Sequence, residues 1–362
     1  MTQLERQLLQ WIEAEPTISH KRLAQLAGIS LEEIDDCISR FIARGDIAGT
    51  GYILRSETYA VVVGGVSIDI GGSALAPLVA RDSNPGKVHM SIGGVGHNIA
   101  HNMRLLGVNT KLLTAFGDDM YAQRIAASCG EQGIDISHAL AVPGAATSTY
   151  LYLNDPDGDM AIAMSDMAVC AEISPAYLAD NLQLLNRAQL IVADTNLSED
   201  SLQFLAENCT PPIFADPVST AKAGKLRAVL PKIHTLKPNR IEAELLSGVK
   251  ITDEESLRLA AKTLLDTGLR RVFISLGTQG VFAADHVKTL QQPCFAADMK
   301  NATGAGDAFM AALAWAYLEG TDLADSARSA AAAAAIAVEG VETINLAQSA
   351  AAVRARMNSK EK

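Results

Sequence analysis

With 362 residues, the chain exceeds one ordinary domain and leaves room for a large domain plus a small appendage. Hydrophobic residues at 49%, charged residues at 20% and aromatics at 5% describe an Ala-rich globular protein and exclude a disordered or fibrous one. The formal net charge of −11 argues against broad nonspecific binding to nucleic acid or anionic membrane, which needs basic patches, while a small anion held by backbone amides stays compatible.

Cys37, Cys129, Cys170, Cys209 and Cys294 are scattered, with no CxxC pair and no histidine at zinc-finger spacing. This pattern predicts a reducing, cytoplasmic setting and no structural zinc. The N-terminal MTQLERQLLQW carries charge throughout, and SAAAAAAIAV from Ser329 is too short to cross a bilayer, so no signal or membrane-embedded segment is expected.

Residues 1–56 read as a separate domain of three short helices followed by a hairpin. Leu4, Leu8, Leu9 and Ile12 recur at helical spacing, LAQLAGIS resembles the second helix and glycine turn of a helix-turn-helix, and GDIAGTGYIL resembles a small wing. The nominal recognition helix carries Glu32, Glu33, Asp35 and Asp36 where groups facing DNA phosphates or bases would stand. DNA binding is therefore not favoured over oligomerisation or docking.

From residue 57 to 362 the pattern changes. YAVVVGG, TKLLTAFG, AQLIVAD, PIFAD, IHTLKPN and RRVFISLG are buried-strand runs alternating with amphipathic helices, which predicts an α/β fold with a parallel sheet covered on both faces. STYLYLNDPDGDMAIAMSD alternates around a Pro-Asp-Gly turn, and SIDIGGSALAP with KVHMSIGG supplies further antiparallel strands; together these predict a small β lid over the carboxyl edge of the main sheet.

Two glycine-rich turns carry the chemistry. In NATGAGDAFMAAL, beginning at Asn301, Gly304, Ala305 and Gly306 open directly into a helix, so their free N–H groups and the helix dipole form an anion hole. Asp307, in the first turn beside it, is placed to take a proton from a hydroxyl attacking a phosphate held there. In GGVGHNIAHNMRLLG, Gly93 and Gly94 let a ligand approach the backbone, and Asn98 would point toward it. GxGxxG and GxxxxGK[ST] are both absent, so a dinucleotide fold and a P-loop are unsupported. His97, His101 and Asn102 lack the glutamate of an HExxH site, and the histidines read as residues on a helix surface.

In this order and about two hundred residues apart, the two signatures resemble those of the PfkB, or ribokinase-like, carbohydrate kinases, from Tyr59 to roughly Val353. The resemblance implies a three-layer α/β/α sandwich with a β lid. It implies ATP and Mg²⁺ as well, with Asn239 and Glu242 of KPNRIEAE organising the metal and Lys237, Ser275, Gly277 and Gly280 lining the nucleotide site. Asp69 of GGVSIDIGG would bind sugar hydroxyls. The family usually carries Asp where this chain has Asn301, in a monovalent-cation site, which leaves potassium dependence open. Within the family, DSNPGK, TSTYL, ADTN, DPVS and NATGAGD resemble pseudouridine kinases, which implies transfer to a ribose 5′-hydroxyl. Asp166, Ser67 and Thr149 are the candidate lid acceptors for the extra ring N–H of pseudouridine, with Asp166 first. Kinases for ribose, a ketohexose or another nucleoside, a homodimer through the lid, and a DNA-binding regulator with a kinase-like sensor domain remain alternatives.

Overall fold

The computed structural model describes residues 2–47 and 58–359, in two compact units, Met1–Glu57 and Thr58–Lys362. In the first unit, helices Gln3–Ala14, His20–Ala27 and Leu31–Arg44 bury Leu8, Leu23, Ile34, Cys37, Ile38 and Phe41. Thr2 with Glu5, and Ser30 with Glu33, form capping boxes that satisfy helix-end donors. Glu33 is thus committed to a cap, and Asp35 to His20 at 2.6 Å. Most of the expected wing, residues 48–54, lies outside the described residues.

In the second unit an eight-stranded sheet runs in the order Thr289–Gln292, Val281–Asp285, Arg271–Ser275, Thr235–Leu236, Ile213–Asp216, Ile191–Asp194, Ala60–Val63, Thr110–Leu113. The last six are parallel. The first two form an antiparallel edge hairpin, which the strand runs did not reveal because a tight GTQ turn separates it from RRVFIS. Side chains alternate between two cores. Val61, Val63, Ile191, Ala215 and Ile274 pack on one face, with Leu205, Leu246 and Leu264 of the covering helices. Val62, Val192, Phe214 and Phe273 pack on the other, with Ile99, Met103 and the alanines of Ala305–Leu318 and Leu323–Val338. Alanine on facing helices lets their backbones approach closely, so these two can lie in one layer beside the sheet.

The lid is a four-stranded sheet, Gly86–Gly93, Ser67–Ala74, Thr149–Asn154, Met160–Asp166. Its outer pairs are antiparallel, but the central pair, Ser67–Ala74 with Thr149–Asn154, is parallel. The two antiparallel pairs are those expected from SIDIGGSALAP with KVHMSIGG and from STYLYLNDPDGDMAIAMSD; the pairs are joined in parallel because a long stretch of chain, and no hairpin, connects Ser67–Ala74 to Thr149–Asn154.

Candidate active site

The parallel strands end on one edge, and polar residues gather at those ends. Asp194 and Asp216 are the last residues of their strands and lie side by side in register, both buried. Asp194 accepts from the backbone N–H of Gly65 at 2.9 Å and of Asn196 at 2.7 Å, pinning the turn after Ala60–Val63. Burial raises its carboxyl to about 6, with Asp216 adding repulsion.

Two helices aim their N-termini into this edge. Gly94 caps Val95–Leu105 at φ 92, and a side chain there would run into Gly65 O at 2.6 Å; at Gly93 it would strike Asp69. Gly304 caps Ala305–Leu318 at φ 82 with no side-chain cap, so the first amides stay free for an anion. A side chain at Gly304 would collide with Thr343 O, and at Gly306 a Cβ would sit 3.3 Å from Lys237 Nζ. The ammonium of Lys237 thus stands over the turn that the amides line.

Asn98 donates from Nδ2 to Asp307 Oδ2 at 2.9 Å. Burial raises the Asp307 carboxyl to about 7, Asp216 pushes it further, and Asn98 and Lys237 oppose the shift. A carboxylate tuned near neutrality is suited to taking a proton. Lys237 pairs with Asp216 at 3.2 Å; burial works against its charge, yet Asp216, Glu242 and Asp307 hold its pKa above the ordinary value.

Asn239 and Glu242 exchange hydrogen bonds as a capping box on helix Arg240–Ser247, Glu242 N to Asn239 Oδ1 at 2.9 Å and Asn239 N to Glu242 Oε2 at 2.8 Å. Each keeps one polar atom outside that exchange. Burial raises the Glu242 carboxyl. Among the described residues no three His, Cys, Asp or Glu side chains converge as a metal cage. The donor set of Asn239, Glu242 and Asp216 instead fits Mg²⁺, which keeps most of its waters and takes one or two carboxylates together with substrate phosphates.

Lys237, Ser275, Gly277 and Gly280 line one cavity of about 390 Å³ with Ala305, Gly306 and Phe309, so the anion turn and the SLGTQG loop share a space. Asn301, ahead of the turn, donates to Val341 O at 3.0 Å and accepts from Thr303 N at 2.9 Å; its amide ties the anion-hole loop to the segment after Leu323–Val338.

Lid register sorts the remaining candidates. Asp69 pairs with Ser91 and Tyr150, and Gly71 with His89 and Tyr152, so these residues share one face. Ser67 lies on it too and donates to Asp69 Oδ1 at 2.8 Å; burial raises the Asp69 carboxyl. Thr149 and Asp166 pair with each other and with Ile68, which turns them to the opposite face. The period-two rule corrects their assignment as acceptors beside Asp69: Tyr150, Tyr152, His89 and Ser165 are what the Asp69 face presents.

A second correction concerns His97 and His101, expected on a helix surface. Both are buried, since the helix packs against Ala305–Leu318 on one side and Thr110–Leu113 on another. Sequence reasoning assigned no role to Asp194, Asp216 or the lid tyrosines. A signal was available for the first two, because each closes an apolar strand run with a carboxylate.

Residues 57–350 match the model of the pfkB family carbohydrate kinases. The chain belongs to this family. Pseudouridine kinase of Escherichia coli (strain K12) is 41% identical over 280 residues, 76% of this chain and 88% of the relative. Uncharacterized sugar kinase YeiI of the same organism is 35% identical over 334 residues, 91% of each chain, a span longer than the 58–362 unit. A carbohydrate kinase from Agrobacterium tumefaciens superimposes with a TM-score of 0.74 at 28% identity, over 83% of this chain and 97% of that one. This pfkB-family protein is a sugar or nucleoside kinase with the ribokinase-like fold, and among its described residues no helix is long and apolar enough to cross a membrane.

Proposed function

We propose that the protein phosphorylates the 5′-hydroxyl of pseudouridine with ATP, giving pseudouridine 5′-phosphate and ADP. The observation that carries this reading is the lid face around Asp69. A free sugar needs hydroxyl partners alone, whereas Tyr150 and Tyr152, with ring centroids 5.7 Å apart and planes tilted by 36°, and His89, edge-on to Tyr152 and bonded to its hydroxyl at 2.9 Å, add aromatic rings against which a nucleobase can pack. The 41% identity to a pseudouridine kinase supports that base in particular.

In this mechanism Asp69, Gly93, Gly94 and Asn98 hold the ribose with its 5′-hydroxyl toward Asp307. Asp307 Oδ1 takes the hydroxyl proton as the oxygen attacks the γ-phosphorus; Asn98 keeps Oδ2 oriented. The amides of Ala305 to Asp307 and the Lys237 ammonium meet the charge on the transferring group. Ser275, Gly277 and Gly280 bind the rest of ATP. Asn239, Glu242 and Asp216 would hold Mg²⁺, whose chemistry when bound would be to neutralise phosphate charge. Lid closure excludes the water that would compete as acceptor.

Val88, Met90, Leu151, Leu153, Ile162 and Met164 are exposed on the opposite lid face, a patch suited to a second copy of the chain. The longer alignment with the uncharacterised sugar kinase favours a second reading, a kinase acting on a different sugar acceptor. Incubation with pseudouridine and MgATP, followed by phosphorus NMR of the product, tests the proposal: a phosphate coupled to the C5′ protons is expected, and unchanged nucleoside refutes it.

A further inference from the structure

The ring N–H that sets pseudouridine apart from uridine needs an acceptor, and the lid carboxylates do not supply one. Asp166 is turned away from the Asp69 face, and Asp69 already accepts from Ser67 and, in the proposed mechanism, holds the ribose. Ser91, paired with Asp69 in register, leads elsewhere: it lines a cavity of about 470 Å³ together with Glu342 and Thr343, which come from the segment after Leu323–Val338. That segment is fastened to the anion-hole turn on both sides of Glu342. Asn301 donates from Nδ2 to Val341 O at 3.0 Å, and Thr343 O lies against Gly304, where a Cβ would go. Further along, Asn345 donates from Nδ2 to Ile336 O at 2.7 Å. Glu342 itself is exposed, and no hydrogen bond or ion pair among the described residues engages its carboxylate. Burial raises the Tyr152 hydroxyl above its ordinary value, and the charges of Asp69 and Glu342 raise it further, so both carboxylates stand within electrostatic reach of that ring.

We infer that Glu342 is the specificity-determining acceptor for the base: its carboxylate, held beside the anion-hole turn and facing the Tyr150 and Tyr152 rings across the cleft, accepts the ring N–H that pseudouridine has and uridine lacks. Uridine carries a C–H at that ring position, so the same carboxylate meets a group that donates no ordinary hydrogen bond. An ionised acceptor gains about twice what a neutral hydroxyl would from an N–H donor, which favours Glu342 over Ser91 or the tyrosine hydroxyls for this task. Being exposed, the carboxylate can return to water when uridine binds, so the discrimination stays near tenfold instead of reaching the far larger rejection of a buried, orphaned acceptor. The Asn301 amide gains a purpose beyond the loop it closes, since its bond to Val341 sets where the next residue stands. This inference rests on pseudouridine as the substrate.

The test measures kcat and KM for pseudouridine, uridine and N1-methylpseudouridine, in which a methyl group replaces the N–H, with MgATP and the full chain as wild type, Glu342→Ala and Glu342→Gln. The wild type should favour pseudouridine over the other two by roughly tenfold or more in kcat/KM. Glu342→Ala should bring pseudouridine and uridine to within about threefold of each other, with the loss in KM for the nucleoside, because the contact is the same in ground and transition states. It should also raise N1-methylpseudouridine relative to pseudouridine, since the methyl group no longer meets a carboxylate. Glu342→Gln, whose carbonyl oxygen still accepts, should fall between wild type and the alanine variant. A pseudouridine-to-uridine ratio in Glu342→Ala equal to the wild type's, or a fall in kcat shared by all three nucleosides, would overturn the inference and leave pseudouridine as the substrate. A wild type that phosphorylates pseudouridine no better than uridine, or not at all, would refute the functional reading and this inference with it.

Discussion

Asn98 and Asp307 lie 209 positions apart in the chain and meet at 2.9 Å, joining the first turns of two helices that both begin at a left-handed or otherwise positive-φ glycine. The two glycine-rich signatures therefore meet at one place; in the proposed mechanism one orients the acceptor and the other holds the phosphate and the proton acceptor.

Replacement of that acceptor has two separable consequences. Asp307→Asn should lower kcat by ~10²–10⁴ while nucleotide binding persists. With the carboxyl near 7 in the folded chain against 3.8 unfolded, the folded state holds its proton more tightly, so stability declines as pH rises from about 4 through about 7. Thermal unfolding should show the variant more stable than wild type at pH 8 and equal to it near pH 3.5, and the wild-type kcat should drop as pH falls through about 7.

Glu242 serves a cap and is proposed to hold Mg²⁺, and one substitution distinguishes the roles. Gln keeps the capping box, since its carbonyl still accepts from Asn239 N, but loses the charge. Glu242→Gln should leave the melting temperature within a degree or two and raise the Mg²⁺ concentration needed for half-maximal rate. An unchanged magnesium titration would assign Glu242 to the cap alone.

Two glycines of similar backbone test the anion hole. Gly107 (φ 85) has open space where a Cβ would go, whereas Gly304 (φ 82) has Thr343 O. Gly107→Ala should cost about 1–2 kcal/mol of stability from its left-handed backbone alone with kcat intact. Gly304→Ala must shift the turn and should lose ~10²-fold or more in kcat.

What the sequence disclosed follows the range of the signal. Helix starts, strand runs and anion turns are written in adjacent residues, so Gly304 to Asp307 and the six parallel strands were legible. Lid register is set by pairing across the chain, and a one-residue difference in phase moved Asp166 and Thr149 to the face away from Asp69. Burial of His97 depends on helices packed around it from distant segments, and Asp194 beside Asp216 is a relation between strands, not a motif.

The N-terminal unit has its own core and the kinase signatures lie outside it. A chain of residues 58–362 should fold and retain kcat within about twofold, as measured by ADP release; loss of activity with folding preserved would give residues 1–57 a part in turnover.

The central claim is that the acceptor is pseudouridine, and kcat/KM for pseudouridine, uridine and ribose under MgATP tests it most directly. Uridine shares the ribose and ring outline but lacks one ring N–H, so an acceptor on the Tyr150, Tyr152 and Ser165 face left unpaired by uridine costs roughly 1–3 kcal/mol, about tenfold to a hundredfold. The account predicts pseudouridine ahead of uridine by at least about tenfold, with ribose lower still for want of a base to stack; a uridine or ribose value equal to or above that of pseudouridine would contradict it.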